Sequence, residues 1–391
     1  MNIVLFSDTY PPEINGVATS LFNLRMTLKM HGENCLVVTT NPFNDQVTYE
    51  DGIVRVPGIE LKQLYGYQLA GPYNQKAFEI VRAFKPDVIH VNHDGGIGQF
   101  GFLCASRLNV PTVYTYHTMY EDYTYYVTKG HFDRAAKSIV RSYIKLKSNQ
   151  SAEFIAPSAK IKDYLRSIGV DGYVNIVPTG IDFSRFMDRA GTPEDALKKR
   201  AELGIGRDDF VLLSLGRVAK EKSIDVCLRG YAKYLKRGEK RPSKFLIVGG
   251  GPALDELKAL AKELGIEKRV IFAGPVKPDV TQYYYRLGDC FVSASVTETQ
   301  GLTFMEAMAS SLIVLARYDD NLAGTISDGK TGYFFYDEDD FKDRLEMIVG
   351  LTPTQRKAIL VGARKALEPY SLEAFYKNVM EVYRRAIRKS W

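Results

Sequence analysis

Two doubly wound α/β units, one following the other along the chain, are the fold class this sequence predicts. The first observation behind it is a rhythm: short β-branched runs alternate with longer helical patterns, as parallel strands joined by crossover helices require. The second is that this rhythm restarts after Pro178-Thr179-Gly180-Ile181-Asp182 and a polar, charged stretch reaching about Asp209. The third is length, because 391 residues accommodate two domains of ordinary size, each with its own core.

Taken in order, the strands expected in the first unit are Asn2 to Phe6, Cys35 to Thr40, Asp87 to Val91, Thr112 to Tyr116, Glu153 to Ala156 and Asn175 to Val177. Those of the second are Phe210 to Leu215, Lys244 to Val248, Val270 to Phe272, Cys290 to Ser293, Leu312 to Leu315 and Tyr333 to Phe335. The domains are assigned to residues 1–183 and 184–371. Ligands of such sheets lie beyond the carboxyl ends of the strands, which puts the expected site in a central cleft between the domains. The closing segment, Ser371 to Trp391, has a Ser cap and Glu373 at its start and Arg384, Arg385, Arg388 and Lys389 at its end, as a helix complementing its dipole would.

Composition bounds the function. A hydrophobic fraction of 45% and a charged fraction of 25% are those of a soluble globular protein, and the longest apolar runs are strand-sized, so no bilayer-spanning segment is expected. Met1-Asn2 passes straight into Ile3-Val4-Leu5-Phe6 without the parts of a signal peptide, which reads as a cytoplasmic protein. Cys35, Cys104, Cys227 and Cys290 lie far apart in mostly apolar settings and read as buried thiols. The net charge of +6 is modest, and no nucleic-acid partner is expected, but Lys129 to Lys147 holds six basic residues against the single acid Asp133.

The pair most informative for chemistry is Glu298 and Glu306, separated by seven residues in Thr297-Glu298-Thr299-Gln300-Gly301-Leu302-Thr303-Phe304-Met305-Glu306. A glycine turn runs here into an apolar helix start, so the amides of Gly301, Leu302 and Thr303 should face an anion. The spacing places Glu306 on the helix and leaves Glu298 on the loop before it. Leu215-Gly216-Arg217-Val218-Ala219-Lys220-Glu221-Lys222 follows the strand that opens the second unit. There Gly216 allows close approach, and Arg217 and Lys222 offer two cations to a diphosphate. Val248-Gly249-Gly250-Gly251-Pro252 also leaves a strand for a helix, and suits either nucleotide approach at Gly250 or a tight structural turn. In the first unit Asn15-Gly16 precedes the helical stretch Val17 to Met30, and His117 ends a central strand. No H-E-x-x-H or C-x-x-C is present. Asp337-Glu338-Asp339 reads as a solvated loop, so no metal is expected.

Apolar residues Phe132, Ala136, Ile139, Tyr143 and Leu146 recur at steps of four and three, while Arg134, Lys137, Arg141 and Lys145 follow the same rhythm on another face. This basic amphipathic helix either packs on its own sheet or docks to anionic headgroups, with Lys129 and Lys147 at its ends.

Together, Asn15-Gly16, His117, Arg217 with Lys222, Gly249 to Pro252 and Glu298-x7-Glu306 resemble the retaining family 4 glycosyltransferases of GT-B fold, over nearly the whole chain. Asp8-Thr9-Tyr10-Pro11-Pro12 and His117-Thr118-Met119-Tyr120-Glu121-Asp122-Tyr123 resemble more narrowly the diacylglycerol glucosyltransferases of Gram-positive bacteria. The resemblance implies UDP-glucose as donor and 1,2-diacylglycerol as acceptor, with no cofactor or metal beyond the nucleotide sugar. It implies peripheral attachment to an anionic membrane surface at the cytoplasmic face. Arg217, Lys222 and Gly16 would hold the diphosphate, Glu306 the ribose, and Glu298 with the amides after it the hexose. His117 would contact the sugar near the reacting centre, while Tyr120 and Asp122 would belong to the acceptor side. The final helix, 372–391, would cross back to the first domain, with Trp391 as a docking residue. A soluble acceptor such as a polyol, a glucan or a protein hydroxyl is the alternative, and a non-catalytic binding subunit a third reading.

Overall fold

The computed structural model describes residues 1–13, 15–61, 67–117, 133–187, 192–296, 298, 300–320 and 322–389. The chain divides into two units: Met1–Ile181 with Tyr370–Trp391, and Asp182–Pro369.

The first unit is built on β1 (Asn2–Phe6), β2 (Asn34–Asn41), β3 (Thr48–Glu50), β4 (Ile53–Leu61), β5 (Tyr67–Ala70), β6 (Val88–Val91), β7 (Thr112–Thr115), β8 (Glu153–Ala156) and β9 (Val174–Ile176). Among the described residues its order is β3-β4-β2-β1-β6-β7-β8-β9, with β5 on β4. The pairs from β4 through to β9 are parallel. Successive side chains of β1 serve opposite faces: Ile3 and Leu5 enter one apolar core, Val4 and Phe6 the other. A strand covered on both sides reads as an unbroken apolar run, which is why Ile3 to Phe6 shows no alternation.

The strands β3, β4 and β5 are not anticipated by the sequence reading. β3 and β4 form an antiparallel hairpin around Asp51 and Gly52, both with positive φ (45° and 70°), the turn that Asp-Gly favours. That dipeptide was the available signal. β4 then pairs with β2 in parallel, extending the sheet.

The helix Leu372–Lys389 places Phe375, Val379, Met380, Val382, Tyr383 and Ala386 in the core that Ile3 and Leu5 share. Its basic end does more than complement a dipole. Lys389 lies 2.9 Å and Arg385 3.5 Å from the buried carboxylate of Glu153 on β8. Burial raises the Glu153 pKa, but Lys389, Asn175 and Arg385 outweigh that and hold it below the ordinary value. Trp391 lies outside the described residues.

The second unit carries β10 (Phe210–Leu215), β11 (Ser243–Val248), β12 (Val270–Gly274), β13 (Cys290–Ser293), β14 (Ile313–Arg317) and β15 (Tyr333–Phe335). Its order, among the described residues, is β12-β11-β10-β13-β14-β15, parallel throughout. In both sheets the strand order reverses at one place, between β1 and β6 and between β10 and β13. Loops leaving neighbouring strands diverge there, so a crevice forms at their carboxyl ends. The acidic run at Asp337 is not a solvated loop. Asp337 caps the helix Glu338–Val349, accepting from the amides of Asp339 and Asp340, where carboxylates meet the positive end of the dipole.

Candidate active site

At the reversal point of the second unit, β10 delivers Gly216, Arg217 and Lys222, and β13 delivers Glu298. Gly216 has φ 145°, open to glycine alone, and its amide closes on Val248 O at 3.0 Å. The chain then makes the short 3-10 turn Lys220–Lys222 before the helix Ile224–Arg237. Lys222 Nζ donates to Glu298 Oε1 at 2.6 Å, with both side chains partly shielded (32% and 14% exposed). The cation expected on a diphosphate and the carboxylate expected on a hexose are therefore paired with each other.

The helix Leu302–Ala309 starts from Gly301 with φ 74°. A Cβ at Gly301 would lie 2.6 Å from Leu322 Cδ2, so both backbone and packing demand glycine. Among the described residues, the amides of Gly301, Leu302 and Thr303 donate to no protein acceptor. Such amides at a helix start make an anion cradle. Glu306 sits half-buried on this helix, and Tyr285 donates its hydroxyl to Glu306 Oε2 at 2.8 Å. Burial pushes the Glu306 carboxyl up to about 7, with the Tyr285 hydrogen bond and the charge of Arg185 pulling the other way. Tyr285 has no sequence signal beyond its place in a tyrosine run.

The glycine run divides its labour. A Cβ on Gly249 would lie 1.8 Å from Gly216 O and one on Gly251 2.2 Å from Val218 O, so these two exist to let the loops after β10 and β11 touch. Gly250 has only Pro275 near its Cβ direction, at 3.4 Å, and its carbonyl accepts from the Val218 amide. Backbone packing accounts for Gly249 and Gly251 but not for Gly250.

In the first unit the reversal point carries side chains instead. After β1, the buried carboxylate of Asp8 accepts from the amides of Ile97 (3.0 Å) and Gly98 (3.3 Å) and from His93 Nδ1 (3.1 Å). It thus caps the helix Gly96–Leu108, whose own cap position is Gly95, where a Cβ would collide with Asp8 at 2.5 Å. Burial disfavours the charged form of His93, but Asp8, with Asp94 and Glu13, outweighs it and holds the His93 pKa above the ordinary value. Burial pushes Glu13 up to about 7, against His93 and Arg55.

His117, after β7, has Nε2 3.2 Å from Asn92 Oδ1. Burial, and then the charge of His93, push its pKa down to about 3, so the imidazole is neutral near pH 7. With Nε2–H directed at Asn92, Nδ1 is the acceptor. The Asp8, Glu13 and His93 cluster escaped the sequence reading because its members come from two loops far apart in sequence. Asn15 caps the helix Gly16–Met30 through Ala18 N at 2.8 Å, which accounts for a side chain at that position. Gly16 would meet nothing within 4 Å if it carried a Cβ, so packing within the protein does not account for it. Tyr120 and Asp122 lie outside the described residues.

The helix Asp133–Gln150 turns its buried side to the first sheet through Val140, Tyr143, Ile144, Lys147 and Ser148, a complete 3-4 spacing. This differs from the expected apolar face. Ile139 and Leu146, one heptad apart, are 70% and 52% exposed, alongside the exposed Arg141 and Lys145 and the half-buried Lys137. Lys147 is no headgroup contact: it is buried, with Nζ 3.0 Å from Gln150 Oε1 and 4.3 Å from the Phe102 ring centre. A lysine at the second buried-face position packs its stem and keeps its charge on an aromatic face. Lys129 and Phe132, like the side chains of Arg134 and Ala136, lie outside the described residues.

Residues 14–185 match the family described as Glycosyltransferase Family 4, and residues 195–362 that described as Glycosyl transferases group 1. The chain belongs to the family 4 glycosyltransferases. Over 391 residues it is 36% identical to an alpha-monoglucosyldiacylglycerol synthase of Streptococcus pneumoniae, covering 99% of this chain and 86% of that one. It is 33% identical to the alpha-monoglucosyldiacylglycerol synthase of Acholeplasma laidlawii, covering 100% of this chain and 98% of that one. Among solved structures it is similar to the Anabaena protein HepE in complex with UDP-glucose, with TM-score 0.70 and 17% identity, over 97% of this chain and 98% of that one. The last likeness establishes the two-domain GT-B fold.

Proposed function

We propose that this chain is a retaining glucosyltransferase that moves glucose from UDP-glucose to the free hydroxyl of 1,2-diacylglycerol, forming α-monoglucosyldiacylglycerol. One observation carries it: the likeness to the two glucolipid synthases runs through both units, so the acceptor half is shared as well as the donor half.

The bond from the anomeric carbon to the diphosphate breaks, and the bond to the lipid oxygen forms on the same face. The lipid hydroxyl's proton passes to the departing phosphate oxygen. The charge that grows on that oxygen is met by Arg217, Lys222 and the amides of Gly301 to Thr303, fixed donors in a partly shielded site. Because Lys222 is paired with Glu298, donor binding exchanges one ion pair for two contacts: ammonium to diphosphate and carboxylate to sugar hydroxyls. Glu306 holds the ribose, the neutral His117 contacts the hexose, and Gly16 leaves room for the diphosphate. With two side-chain cations supplying the charge, the reaction needs no metal.

Attachment is peripheral, at the cytoplasmic face. Among the described residues no helix is long and apolar enough to cross a membrane. The exposed Ile139 and Leu146 beside Arg141 and Lys145 support docking of the helix Asp133–Gln150 on anionic lipid, since apolar side chains insert while cations stay with the headgroups. Mass-spectrometric detection of hexosyl-diacylglycerol from UDP-glucose in mixed vesicles tests the proposal. A monohexosyl lipid is expected, in larger yield with anionic lipid. UDP-glucose consumption with no lipid product would refute the acceptor.

A further inference from the structure

A cavity of about 460 Å3 lies at the amino ends of β13 and β14, the edge of the second sheet opposite the E-x7-E motif. Its size is that of a small-molecule site. Three guanidinium groups line it, and they are not equivalent. Arg200 is structural: it donates to Leu287 O at 3.0 and 2.8 Å and pairs with Asp289 at 2.9 Å. Arg286 makes one long contact, 3.5 Å to Met187 O, and Arg364 donates to Ser311 Oγ at 3.0 Å. Neither meets a carboxylate among the described residues. Among the described residues, two cations without a carboxylate partner thus face one cavity whose other wall is apolar, with Phe186 and Leu197. The carbonyl end of the helix Leu302–Ala309 reaches the same cavity, but its partial charge is only roughly half an elementary unit, which two guanidinium groups outweigh.

The position of this cavity gives it a path to the nucleotide site. The two side chains that act on the Glu306 carboxyl are next in sequence to residues of the wall, and its helix ends there. Tyr285, which donates to Glu306, is followed by Arg286; Arg185, whose charge acts on Glu306, is followed by Phe186; and the helix bearing Glu306 ends in Ala309 and Ser310.

We propose that this cavity binds a small soluble phosphoryl compound with an apolar body, held by Arg286 and Arg364, and that its occupancy alters nucleotide affinity through Tyr285 and Glu306. The guanidinium fork matches phosphate oxygens in geometry as well as charge. The binding claim stands by itself; the coupling rests on the assignment of Glu306 to the ribose.

Phenyl phosphate is the probe, titrated calorimetrically into the full chain with the nucleotide site saturated by UDP. Binding is expected for the wild type and for Lys222→Ala, and weaker by about tenfold or more for Arg286→Gln/Arg364→Gln, the loss of two charge-assisted contacts. Leu197→Glu, a partly exposed change that adds a negative charge to the wall, is expected to abolish it without disturbing the fold, with thermal unfolding as the control. No binding to the wild type, or equal binding by the arginine and Leu197 variants, would overturn the site. Displacement by phosphatidic acid vesicles but not by inorganic phosphate would overturn the soluble ligand in favour of a lipid headgroup. For the coupling, UDP affinity should change about threefold or more when phenyl phosphate saturates, and this should vanish in Tyr285→Phe. By reciprocity UDP must shift phenyl phosphate affinity equally. Unchanged UDP affinity would remove the coupling. A chain that bound no UDP would refute the glucosyltransferase reading while leaving the titration without UDP to report on this cavity.

Discussion

In the second unit the carboxyl edge of the sheet is shaped by backbone: Gly216, Gly249, Gly251 and Gly301 all take positive φ there, and Lys222 and Glu298 are set upon that surface. In the first unit the equivalent edge is filled with side chains, Asp8, Glu13, His93 and His117, around the same kind of strand reversal. A diphosphate is met by amides and cations, which glycine-shaped loops present. In the first unit the groups act on one another: Asp8 raises the His93 pKa, and the charge of His93 helps to hold His117 neutral. The two edges therefore respond to different perturbations.

The largest separation is expected from Lys222→Ala. Losing a fixed cation on the leaving group should lower turnover by about 100- to 1000-fold in steady-state assays, with whatever acceptor is supplied. On the first unit, Ile139→Ser with Leu146→Ser should weaken attachment to anionic vesicles by about 30-fold, the equivalent of about 2 kcal/mol of apolar insertion. Cosedimentation reads that effect, and donor turnover in solution should stay unchanged.

Glu306 sharpens the comparison through pH. Its carboxyl, raised to about 7, is protonated below that value and charged above it. If the charged form accepts the ribose hydroxyls, UDP affinity should fall by about tenfold between pH 8 and pH 6, following the carboxylate fraction. Glu306→Gln should flatten the profile, and a wild-type profile already flat would remove Glu306 from the ribose. The smallest effect is expected from Glu298→Gln. Freeing Lys222 from a partly exposed pair should tighten UDP binding by about threefold while turnover of UDP-glucose falls. Weaker UDP binding would mean that the ion pair organises Lys222 for the donor.

The same contrast explains what the sequence reveals. In the second unit all six strands are legible, because buried parallel strands read as short apolar runs and glycines mark the loops leaving them. Gly216, Gly301 and the placing of Glu298 before the helix and Glu306 on it are legible for the same reason. The division of the glycine run is not, since only the fold shows that Gly249 and Gly251 face Gly216 and Val218. In the first unit β3 to β5 and the Asp8, Glu13 and His93 cluster are hidden, because their partners are distant in sequence and no spacing rule joins them. The helix Asp133–Gln150 is legible as amphipathic, but its charged and apolar rhythms overlap. Burial of Lys147 and exposure of Ile139 turn on which of two nearly equivalent faces meets the sheet.

The division of labour between the units is tested most directly by comparing transfer to two forms of one acceptor: long-chain diacylglycerol in anionic vesicles and a water-soluble short-chain diacylglycerol. Ile139→Ser with Leu146→Ser should lose transfer to the vesicle acceptor and keep transfer to the soluble one, whereas Lys222→Ala should lose both to the same degree. Equal losses on the two acceptors for the helix variant would contradict the account, since the helix would then be part of the reaction and not of the docking.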